Sequence, residues 1–155
     1  MTVNHQKAEA EGLRIALMAG LVRPAEVVEW ADRIIEREDN PDAAVIEVAL
    51  AAHRSINEIA GLLEEIPGEA DRTMALRTLL RGLLIALEGN PLSAEPIAQK
   101  LYRLARTGEW PEEEFGSEAF WLDDTFELIR EGTYRGSFED AVKDLRDYLR
   151  RNSQA

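Results

Sequence analysis

Leu76, Leu79, Leu80, Leu83, Leu84 and Leu87 recur at three- and four-residue intervals, the spacing of one face of an α-helix. The same period runs through Val27, Val28, Ala31, Ile34 and Ile35, and again through Phe138, Ala141, Val142, Leu145, Tyr148 and Leu149. No stretch sustains the apolar–polar alternation of a strand, and β-branched residues are sparse, so an all-α fold is expected. The leucine stripe predicts a central buried helix. Gly82 within it predicts a close helix contact, because an interior glycine otherwise costs about 1 kcal/mol against alanine.

Punctuation divides the stripes into about seven or eight helices with short loops. Gly20 closes the first, and Pro24 suits the first turn of the second. Asn40-Pro41 reads as an N-cap and proline opening a helix through Ala52. Ser55 with Glu58 forms a capping box for a helix to Glu65. After Pro67-Gly68, a long helix is expected over 69–88, ending at Gly89-Asn90-Pro91. Ser93 is expected to cap the next, which runs to Gly108. Pro111 predicts one turn before Gly116, and Ser117 the start of a helix to Gly132. Ser137 with Asp140 caps the last, to Arg151. Short connections place successive helices side by side in a compact bundle. Helix starts fall at irregular spacing, which gives no fixed repeat period.

A chain of 155 residues with 45% apolar side chains suits one helical domain over 1–155, with 1–8 expected to be flexible. Cysteine is absent, which excludes disulfides and thiolate metal sites. His5 and His53 are too far apart in sequence to suggest a metal or catalytic cluster, so no cofactor and no metal is expected. His53 follows an expected helix end, where a histidine meets the negative end of the dipole.

Thirty acidic residues against eighteen basic ones give a net charge of −12. Such a chain lacks the cations that replace counterions along phosphates, so no direct nucleic-acid partner is expected. Anionic membrane surfaces would repel it as well. The most apolar stretch, 79–87, is far below the roughly 20 residues that cross a bilayer, and residues 1–11 lack a signal-peptide core. A cytoplasmic location follows as the expectation.

Catalytic signatures are missing: no G-x-S-x-G, H-E-x-x-H, phosphate-binding or dinucleotide-binding glycine motif occurs. Asp123-Asp124 could suggest paired carboxylates, but adjacent helical residues point about 100° apart. A non-enzymatic role is therefore expected.

Charge is unevenly distributed. Residues 1–71 carry net −9, residues 72–106 net +4 and residues 107–155 net −7. The basic middle comprises Arg72, Arg77, Arg81, Lys100, Arg103 and Arg106. It admits two readings: arginines paired with acidic neighbours, or a groove by which a helical adaptor would hold an acidic peptide. Segment 109–127 is the most unusual, with eight acids, no base and five of the ten aromatics. Leu122, Phe126 and Ile129 form one stripe of its helix, expected to be buried. Trp121 and Leu128 form another, expected to be partly exposed. Aromatics among carboxylates suit a contact patch for a basic protein. Trp110, Glu112, Glu113, Glu114, Trp121, Asp123, Asp124 and Glu127 are its expected partner-binding residues.

Two stretches carry a resemblance. GLVRPAEVVEWADRIIE over 20–36 includes Trp30 and Asp32. FWLDDTFELIREGTYRGSFEDAVKDLRDYL over 120–149 includes Leu122, Asp123, Asp124, Gly132, Tyr134 and Ser137. Together they resemble a group of small, acidic, all-helical bacterial proteins with G-L-V-x-P-x-E-V-V-x-W-A-D early and L-D-D and G-x-Y-G-S late. Arg135 departs from the late pattern. In size and acidity the chain is also similar to immunity proteins of bacterial toxin systems. That likeness implies an inhibitor that covers the active surface of a basic toxin.

Overall fold

The computed structural model describes the backbone of residues 2–107 and 113–154 and the side chains of 5–107 and 115–154. Among the described residues there are eight α-helices and no strand, as the apolar period predicts. By internal contacts they group into two units, Met1–Ala75 and Leu76–Ala155.

The first unit holds α1 (Thr2–Met18), α2 (Pro24–Arg37), α3 (Ala43–Ala49) and α4 (Ile56–Glu64). α1 packs on α4, α2 on α3, and α3 on α4. Gly20, just past the end of α1, lies in the left-handed region at φ 76°, which a side chain would oppose. The Leu21 N–H then reaches back to the Ala16 carbonyl at 2.8 Å, satisfying one of the open carbonyls at the end of α1. Pro24 occupies the first turn of α2, as expected. Val27, Trp30, Ala31 and Ile34 of α2 meet Val45 and Val48 of α3 and Ile59 and Leu63 of α4 in one apolar cluster.

The start of α3 differs from expectation. Asp42 is the cap, its Oδ1 accepting the Ala44 N–H at 2.8 Å, so Asn40 and Pro41 stay outside the helix. The helix also stops at Ala49, which leaves His53 exposed and three residues past the C-cap Leu50, away from the dipole end proposed for it. The Ser55–Glu58 capping box is present, with each side chain bonded to the other's backbone N–H.

α5 (Arg72–Gly89) begins in the first unit and continues through the second. Its stripe is narrower than predicted. Leu76, Leu80 and Leu87 are fully buried, whereas Leu79, Leu83 and Leu84 are half-buried and Ile85 is exposed. At 100° per residue the three buried leucines share an arc of about 40°. Gly82 is exposed, and a Cβ there would meet nothing within 4 Å, so it marks no close helix contact.

The second unit adds α6 (Ala94–Arg106), α7 (Glu113–Glu131) and α8 (Phe138–Ser153). Ser93 stands at the N-cap of α6, as expected, but its side chain makes no capping bond there, and the capping bond is made one turn earlier by Asn90. Its Oδ1 accepts the Leu92 N–H at 3.2 Å and opens a 3-10 turn over Pro91–Ser93 that runs into the helix. α7 already starts at Glu113 and passes through Gly116 and Ser117 without a break. The turn expected at Pro111 lies outside the described residues. α7 packs on both α6 and α8. The buried Tyr148 hydroxyl of α8 donates to the Phe115 carbonyl at 3.1 Å, and the two rings lie 5.7 Å apart. Gly132 at φ 78° ends α7, and the Ser137–Asp140 capping box starts α8.

Candidate protein-binding face

α7 has a buried side and an open side. Phe115, Ala119, Leu122 and Phe126 are buried, and Phe126 meets Phe138 of α8 edge-on at 5.9 Å. Phe120, Trp121 and Leu128 are 38%, 53% and 42% exposed. With Asp124, Glu127 and Glu131, also exposed, they fall in one arc of about 120° around the helix. The open side of α7 is therefore an apolar and aromatic strip interleaved with carboxylates.

Two ion pairs hold this helix against its neighbours. Arg151 of α8 grips Glu118 through both guanidinium nitrogens, at 2.8 and 3.4 Å. Arg130 reaches Glu95 of α6 at 3.1 Å. Both are largely exposed and position the helix more than they stabilise it. Glu118 is thereby engaged with Arg151, whereas Asp124 and Glu127 make no ion pair among the described residues. Partial burial raises the Asp123 carboxyl above its ordinary value, and the negative charges of Asp124 and Glu127 act in the same direction.

The expected site residues divide accordingly. Trp121, Asp124 and Glu127 lie on the open arc, and Asp123 is half-buried at its edge. Glu113 and Glu114 belong to the first turn of α7. Trp110 and Glu112 lie outside the described residues. Of the five aromatics in the segment, Phe115 and Phe126 belong to the core.

Sequence reasoning missed how the face continues onto α6. Tyr102 packs edge-on against Phe120 with centroids 5.1 Å apart, and the Arg106 guanidinium lies 5.7 Å from the Tyr102 ring centre. The signal was present as a Tyr–Arg pair four residues apart, which puts a cation over a ring on one helix face. Two more of the basic residues have partners of their own: Arg72 meets Glu11 at 3.3 Å, and Arg81 donates to the Ser153 carbonyl at 2.9 Å.

Among the described residues no three histidine or acidic side chains are grouped to hold a metal ion. Compared with known protein families, curated proteins and solved structures, the chain matches none.

Proposed function

We propose that this chain is a non-enzymatic protein-binding module of the cytoplasm, and specifically an immunity protein that neutralises a basic bacterial toxin by covering its active surface. The observation that carries the reading is the open side of α7, where Trp121, Phe120 and Leu128 stand exposed beside Asp124 and Glu127. Large apolar side chains have little reason to face water together, and tryptophan ringed by polar residues is a favoured anchor in protein interfaces. The carboxylates select a basic partner and speed its approach, and the aromatics slow its departure.

The experiment is comparative capture. The protein and its Trp121→Ala variant serve as paired baits in lysate of the producing organism, and retained proteins are quantified by mass spectrometry. A basic protein retained by the native bait and depleted at least tenfold on Trp121→Ala supports the reading. Equal retention on both baits removes α7 from it.

A further inference from the structure

Unit 1 contains a cleft of 540 Å³ between α3 and α4. Ala43, Ala44, Gly61 and Leu62 supply its apolar lining, and Glu47, Arg54, Glu58 and Glu65 its charges. Arg54 is committed to Glu58, with Nη1 donating to Oε2 at 2.9 Å. Glu47 acts on the same guanidinium only at longer range, Glu65 makes no ion pair among the described residues, and the charged lining of three glutamates and one arginine is net negative by two.

Gly61 is the informative residue. It sits inside α4, where glycine is the least favourable residue after proline. No packing requires it, since a Cβ there would meet nothing within 4 Å, and its φ is not positive. What a side chain at 61 would do is occupy the cleft. Gly61 lines the cleft, so a long side chain at this position has open space to extend over it.

We infer that the α3–α4 cleft seats a lysine or arginine side chain from a basic peptide segment. The long methylene stem of such a side chain lies well on alanine, glycine and leucine, and its cationic head ends among carboxylates. The volume falls in the range of clefts that bury a small ligand, room for one such side chain and its flanking backbone. The net charge of −9 over residues 1–71 favours approach of a basic segment to this unit. The inference does not depend on α7, and its test keeps the two apart.

The full chain, isotope-labelled for amide NMR, is titrated with an acetylated, amidated nonapeptide of alanine bearing three lysines. The same peptide with glutamine for lysine, and spermidine, serve as comparisons. The lysine peptide is expected to shift the amides of 43–47 and 58–65, and the glutamine peptide to leave them in place. Gly61→Met, which fills the cleft at a helical position with open space, is expected to weaken binding at least tenfold while the melting temperature does not fall. Glu47→Gln with Glu65→Gln is expected to weaken it similarly without adding bulk. Trp121→Ala is expected to change nothing. Shifts elsewhere only, equal binding in Gly61→Met and in the double glutamine variant, or spermidine binding as tightly as the peptide would each overturn the inference.

Discussion

Glu11 and Arg14 of α1 are each about 5% exposed, although both are formally charged. They survive burial because they satisfy each other: Arg14 donates to both Glu11 oxygens, at 2.6 and 3.1 Å, and Arg72 adds a contact at 3.3 Å. Lys7 is buried too, donating to the Glu64 carbonyl at 2.8 Å, and Gln6 donates to Glu38. None of this was legible in the sequence. Charged residues on a helix read as solvated, and only tertiary placement reveals which of them are enclosed. The hydrogen bonds from Arg14 hold the Glu11 carboxyl below its ordinary value against the opposing effect of burial, and Arg72 and Lys7 reinforce them. A depressed folded-state value means that the stabilisation is fully present above the unfolded value of about 4.3 and is lost as pH falls through the folded one. Glu11→Gln is therefore expected to flatten the acid side of the stability–pH curve, measured by urea melts between pH 2 and 6. An unchanged slope would contradict the role given to the pair. At Gly82 the expectation runs the other way. With open space around its missing Cβ, Gly82→Ala should stabilise the chain by about 1 kcal/mol in the same melts. A loss of stability would restore the close contact that the leucine pattern implied.

Helix existence was legible wherever apolar period and end signals agreed. The boxes at Ser55 and Ser137 and the positive-φ glycines Gly20 and Gly132 stand where the sequence puts them. Where two capping residues competed within a few positions, the start of α3 or the residue making the capping bond differed from expectation. Asp42 displaced Asn40 at α3, and Asn90 makes the capping bond that Ser93 at the N-cap of α6 does not, because the chain path rather than side-chain type selects which oxygen reaches a free N–H. Burial on α5 failed for a similar reason. Periodicity shows which leucines share a face but not how wide a face the neighbours cover. Leu80→Ala is expected to cost roughly 2–5 kcal/mol, as for a fully enclosed leucine. Leu83→Ala, starting half-exposed, should cost clearly less. Equal losses in thermal or urea melts would mean that the two positions are enclosed alike. On α7 the division between core and surface aromatics was only partly legible. The exposed Trp121–Leu128 stripe could be read from spacing, whereas Phe120 became visible only once Tyr102 of α6 was found beside it.

Across the whole chain, an overall charge of −12 with an acidic aromatic strip on α7 separates two roles that contacts alone would blur. Charge acts before contact, at distances of about a Debye length, and aromatic burial acts after it. Nothing in composition distinguishes an acidic surface that merely keeps a protein soluble from one that steers a partner. The distinction lies in where the unpaired carboxylates stand, and on α7 Asp124 and Glu127 stand beside Trp121 and Leu128. The most direct measurement is association and dissociation kinetics with the basic protein captured through Trp121. The proteins compared would be native, Asp124→Lys with Glu127→Lys, and Trp121→Ala, each at two salt concentrations. The charge reversals are expected to slow association at least tenfold and to flatten its salt dependence, with dissociation little changed. Trp121→Ala is expected to speed dissociation at least tenfold and leave association nearly as it was. Association unaltered by the double reversal, in a variant that melts as the native chain does, would contradict steering by this face.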